Sequence, residues 1–143
     1  MRTSKAWTVL APLLFATALS AGDASASDTS IALGEVAVPP VSSGVDRATL
    51  KRAAEGELRG VDTSHLRKRR DVVVSVAIVG SAQSPFACTV NALLRDAKTG
   101  TMLAIIEGRA RAEGDASSEL RNLVLRAALR SAVRQIPEAL AAN

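Results

Sequence analysis

The chain has 143 residues, a formal charge of +4, 48% hydrophobic residues and only 2% aromatic ones. That length holds one small domain, able to bury about two-thirds of its unfolded surface without covalent staples. Its one cysteine, Cys88, excludes an internal disulfide, and the scarcity of aromatic rings argues against a nucleic-acid stacking surface.

Residues 1–26 read as a targeting segment. Arg2 and Lys5 give a positive start, and Ala6 to Leu19 is an apolar run too short to span a bilayer comfortably. Ala24-Ser25-Ala26 has the small-x-small pattern of a signal peptidase site; a cut after Ala21 fits the same rule, and an uncleaved anchor is the other reading. No cysteine stands near the cut to carry a lipoprotein's lipid. The expectation is a cleaved signal peptide over residues 1–26, a single α+β domain over 27–143, and a periplasmic or extracellular protein with no stable membrane anchor after cleavage. Losing Arg2, Lys5 and Asp23 lowers the charge by one, so the mature balance is only mildly basic. Export makes a buried, inert thiol the expected state of Cys88, with an intermolecular disulfide as the alternative.

Ile31 to Val38 reads as a strand, weakened by Gly34 and Glu35 and stopped by Pro39-Pro40, which suits an edge. A helix follows, with Ser43 as its expected cap and Asp46 completing a capping box. Leu50, Ala53, Ala54, Leu58 and Val61 fall at helical spacing and only Glu57 breaks it; Gly60 suits the exit. Val61 to Arg70 (VDTSHLRKRR) is a polar loop with four basic residues at its end.

Asp71 to Ala112 is the centre of the chain. Val72, Val74, Val76 and Ile78 alternate with Val73, Ser75, Ala77 and Val79, a β-branched run that predicts a strand buried at least partly on both faces. A second strand is expected from about Phe86 to Arg95 and a third from Thr101 to about Ala112. Between them, Asp96-Ala97-Lys98-Thr99-Gly100 reads as a hairpin loop, with Gly100 taking the left-handed position and the Asp96 carboxylate accepting from amides two or three residues on. If Asp96 faces Thr101, then Leu94 faces Leu103, Ala92 faces Ile105 and Val90 faces Glu107. That register leaves Val73, Val79, Leu93, Met102 and Ile106 on a second, mixed face. It places Glu107 and Arg109 on the apolar side, which requires either a strand that overruns the core or a bulge at Gly108.

Asp115, Ser117 and Ser118 each offer a cap for a last helix from about Ser118 to Gln135. Its apolar face includes Leu120, Val124, Ala128 and Leu129, and Arg126, Arg130 and Arg134 form a stripe opposite. Pro137 ends or kinks it, leaving a frayed turn at most. The order is strand, helix, strand, strand, strand, helix. It predicts an α+β two-layer sandwich: a mostly antiparallel sheet of about four strands with two helices on one face. A parallel pairing of the first strand would need a crossover through the first helix.

The segment Cys88 to Glu107, with Leu93-Leu94-Arg95-Asp96-Ala97-Lys98-Thr99-Gly100 at its centre, resembles a hairpin of exported bacterial domains. These include the periplasmic domain of the curli secretion channel and the lipoprotein activators of penicillin-binding proteins. The leading strand near Val36-Ala37-Val38-Pro39 and the closing helix share the layout. The resemblance implies a non-enzymatic domain that binds envelope partners or assembles into rings. The chain departs from the pattern in lacking the lipid-bearing cysteine and in replacing an extra strand and helix with the basic loop. No functional residue carries over from the family.

The residues themselves offer little chemistry. His65, the only histidine, stands in the basic loop beside Asp62, Thr63 and Ser64, without a metal's three or four ligands or a positioned nucleophile. The carboxylates are scattered, and no glycine loop forms a phosphate cradle. No catalytic, cofactor or metal site is expected. Two partner-binding surfaces are: the mixed sheet face with Val73, Leu93, Met102 and Ile106, for an envelope protein or a second copy, and Arg67-Lys68-Arg69-Arg70, for an anionic envelope surface such as lipid headgroups or cell-wall polymer. The same basic run could instead be a solvated loop or a proteolytic site, and the Arg126, Arg130, Arg134 stripe a solvated helix face or a dock for an acidic partner. Nucleic acid is not expected as a partner.

Overall fold

A computed structural model describes residues 29–39, 44–83, 85–115 and 117–143. The predicted leader and the predicted cap Ser43 lie outside the described residues. The elements run β1 (Ser30–Ala37), α1 (Arg47–Leu58), β2 (Asp71–Gln83), β3 (Phe86–Asp96), β4 (Met102–Ala112), α2 (Ser118–Val133) and α3 (Ile136–Ala141). One four-stranded sheet has the order β1-β2-β3-β4, with β1 parallel to β2 and the other pairs antiparallel. The parallel pair is joined through α1, as the strand order required. The α+β two-layer class holds.

The core lies between the sheet and the helices. Val72, Val74, Val76 and Ile78 of β2 and Phe86, Cys88, Val90, Ala92 and Leu94 of β3 are buried against Leu50, Ala54 and Leu58 of α1 and Val124, Leu125, Ala128 and Leu129 of α2. Each large aliphatic side chain withdrawn from water contributes about 1.5–3 kcal/mol. Burial raises the pKa of the Cys88 thiol, so the group is neutral and shielded, as expected.

The helix starts follow from side-chain caps. Asp46 caps α1: its carboxylate accepts from the Thr49 amide at 2.6 Å. Of the three candidates for α2, Ser117 is the cap, accepting from the Leu120 amide at 3.1 Å. Pro137 does end α2, but the tail is not frayed: it forms α3, and Ile136 and Leu140 are buried in the core. Glu57, off-pattern in the sequence, faces α2 and receives both Nε and Nη2 of Arg130 at 3.2 and 3.1 Å. That bond takes Arg130 out of the solvated arginine stripe.

The hairpin register needs correction. Asp96 does receive the amides of Lys98 and Thr99, and its own amide donates to the Thr101 carbonyl. Gly100 has φ of +72°. Arg95 faces Met102 as expected, but the next pair is Leu94 with Ala104, so β4 carries one extra residue, Leu103. Beyond this bulge Ala92 faces Ile106 and Val90 faces Gly108. Neither an overrun nor a bulge at Gly108 is needed: the shift occurs earlier, and Glu107 and Arg109 point away from the helices. Gly108 instead permits close helix packing. A Cβ there would lie 2.1 Å from the Ala128 carbonyl oxygen and 2.7 Å from the Ala132 amide nitrogen.

Candidate functional site

Both major helices pack on one side of the sheet, so the other side is open among the described residues. Along β3, and along β2 as far as Val79, the odd-numbered positions face it, as the sequence pattern required. Val73 and Leu93 are half-buried there, while Val79 and Met102 are 52% and 57% exposed. Ile106 does not belong with them. The Leu103 bulge turns it into the core, 6% exposed, and brings Ile105 to the open side at 61%. Of the five residues expected on this face, the structure brings together Val73, Val79, Leu93 and Met102 and replaces Ile106 with Ile105. A signal for this was present in the sequence. Glu107, Arg109, Arg111 and Glu113 alternate at period two, which fixes the odd positions of β4 as solvent-facing, and Ile105 is odd.

Leu93 and Ile105 border a shallow hollow with Glu35, Ala37, Ser75, Ala77, Val79 and Asn91. The bulge at Gly34-Glu35 in β1 places the Glu35 amide 3.3 Å from Ser75 Oγ, to which it donates. The Asn91 Oδ1 atom is screened from solvent and has no hydrogen-bond donor among the described residues. On the β4 side, Glu107 and Arg109 form an ion pair and Arg111 lies 3.6 Å from Glu113, so the apolar group is rimmed by charges of both signs.

The basic loop is the second expected surface. It is held more firmly than its polarity indicated. Leu66 is buried, Thr63 Oγ1 donates to the Thr29 carbonyl, Thr29 Oγ1 donates to the Lys68 carbonyl, and the Ser30 amide donates to the Arg70 carbonyl. Ser64 Oγ and its amide donate to Asp62, which lowers the Asp62 pKa, and His65 Nδ1 lies 4.0 Å from the same carboxylate. Arg67, Lys68 and Arg69 are exposed, and Arg70 is half-buried with its Nη2 donating to the Asn143 carbonyl. The Ala97 amide donates to the Asp71 carbonyl, so the β3–β4 turn adjoins this loop. The amides of Thr99 and Lys98 hold the Asp96 carboxyl below the usual range, and the nearby Arg70 charge adds to that.

His65 and Cys88 are not assembled into one site. His65 is exposed on the loop, whereas Cys88 is buried near the opposite end of β3. Among the described residues no group of three His, Cys, Asp or Glu side chains could hold a metal ion, and no helix is long and apolar enough to cross a membrane.

No family model and no curated protein matches the chain. Solved structures do match its fold. A hypothetical protein from Chlamydia trachomatis aligns with a TM-score of 0.62 at 11% identity, over 81% of this chain and 100% of that one. PelC from Paraburkholderia phytofirmans, solved as a dodecamer, aligns with a TM-score of 0.52 at 11% identity, over 76% of this chain and 87% of that one. At this identity the likeness establishes the layered α+β fold shared by these proteins.

Proposed function

We propose that the chain is an exported, non-catalytic module of the cell envelope that binds a second copy of itself or another envelope protein through its open sheet face. The observation that carries this reading is the uncovered group Val73, Val79, Leu93, Met102 and Ile105, on the side opposite all three helices. A cluster of exposed apolar side chains on one sheet face marks a surface that another protein can cover.

Export rests on the leader read from residues 1–26, and the non-catalytic reading on the separation of His65 from Cys88. The layout shared with the curli channel domain and the penicillin-binding-protein activators supports an envelope role in the same way. PelC, with the same fold, is a dodecamer, so self-association is the first form to test. Sedimentation velocity at high salt measures it. We expect the exported protein to form a discrete oligomer and Ile105→Lys to return it to monomer while keeping its circular dichroism. If the protein is monomeric, the partner is another envelope protein. If Ile105→Lys alters neither the oligomer nor the capture of such a protein, the sheet face is not the interface.

A further inference from the structure

Outside the open face, the strongest feature is the end of the molecule at which the chain enters the domain. Three separate segments bring cations there. Arg67 and Lys68 come from the loop before β2, Arg95 from the end of β3, and Lys98 from the β3–β4 turn. Strand pairing sets them together: Val72 faces Asp96, Ala97 bonds to Asp71, and Arg95 faces Met102. The acids interleaved with them are already engaged, Asp62 by Ser64, Asp71 by the Ser30 hydroxyl and Asp96 by the Lys98 and Thr99 amides. These three carboxylates are held by the protein's own donors, and the exposed cations Arg67, Lys68, Arg95 and Lys98 outnumber them.

One observation chooses the ligand. Met102, more than half exposed, stands beside Arg95 at this same end, and an apolar side chain among cations gains little from a hydrated polymer but something from a bilayer boundary. We propose that this end docks on a bilayer rich in anionic phospholipid, with Arg67, Lys68, Arg95 and Lys98 on headgroup phosphates and Met102 at the headgroup boundary. This surface meets the open sheet face at Met102 but lies outside the hollow bordered by Leu93 and Ile105, and it does not depend on the proposed protein interface.

The test is co-sedimentation of the exported protein with vesicles. We expect binding to equimolar phosphatidylglycerol–phosphatidylcholine vesicles, none to pure phosphatidylcholine, and release at about 0.5 M salt as headgroup attraction is screened. Arg67→Gln with Lys68→Gln should weaken binding roughly thirty-fold. Arg47→Gln with Lys51→Gln, which removes the same charge from the far end of α1, should change it less than about twofold, since screening limits attraction to nearby charge. Met102→Gln should weaken it a few-fold, and circular dichroism should show all variants folded. The proposal is overturned if phosphatidylglycerol vesicles are not bound or if the two double variants lose affinity equally. It is also overturned if soluble polyglutamate binds as tightly as the vesicles and Met102→Gln has no effect, which would make an acidic polymer the ligand.

Discussion

Ile105 and Ile106 are chemically identical neighbours with opposite fates. Ile106 points at α2 and is sealed in the core; Ile105 points at the hollow beside Leu93 and stays in water. The same contrast runs along β3, where Leu94 is buried and Leu93 only half so. Hydrophobicity alone does not say which side of a strand is core. Pleat and bulges decide, and one extra residue at Leu103 reverses the assignment of every position after it. The covered side supplies folding energy, and the open side is left for another surface.

The sharpest way to break this contrast is a charge on each side of it. Ile106→Lys places an unpaired ammonium in the core beside Ala92, and should cost about 3–5 kcal/mol in urea unfolding, enough to unfold a marginal domain. Ile105→Lys should alter unfolding by less than about 0.5 kcal/mol, since it adds a charge to a wet site. Equal destabilisation by the two would mean that the faces are not distinct.

Gly108→Ala probes the covered side without a charge. The new methyl group would meet helix backbone, which cannot swing aside as a side chain can. Pushing α2 away from β4 should cost about 3 kcal/mol in the same unfolding measurement.

How much of this was readable beforehand depended on whether local chemistry or tertiary contact made the decision. The β2 alternation, the Asp96 to Gly100 turn and the Ser117 cap were legible because neighbouring residues determine them. The Leu103 bulge could be read only indirectly, from the charged alternation Glu107 to Glu113, because the turn alone permits the regular register. Glu57 looked like a break in a helical pattern until α2 brought Arg130 to it. The loop before β2 looked loose because its anchors, Thr29 and Asp71, are remote or belong to the next strand. Of the expected partner surface, Val73, Leu93 and Met102 were legible, and Ile105 was hidden by the assumed register.

The smallest effect concerns the carboxylates at the two ends of the sheet. Hydrogen bonds from Thr49 lower the pKa of Asp46, and amides of Thr99 and Lys98 lower that of Asp96. A depressed folded pKa means that the stabilisation is fully present above the ordinary value of 3.8 and fades as pH falls through the folded values. Urea unfolding should therefore show stability declining below pH 3.8, with a shallower decline in Asp96→Asn. An identical decline in the variant would show that the turn contributes nothing to acid sensitivity.

The most direct measurement compares two equally exposed apolar residues on opposite sides of the molecule, Ile105 on the open face at 61% and Leu123 on the outer side of α2 at 64%. A photoreactive amino acid placed at each position, activated in living cells, reports which one touches protein. The expected result is a discrete adduct, with a second copy or one envelope protein, at position 105 and none at 123. An adduct at 123 with none at 105 would contradict the account and move the interface to the helical side.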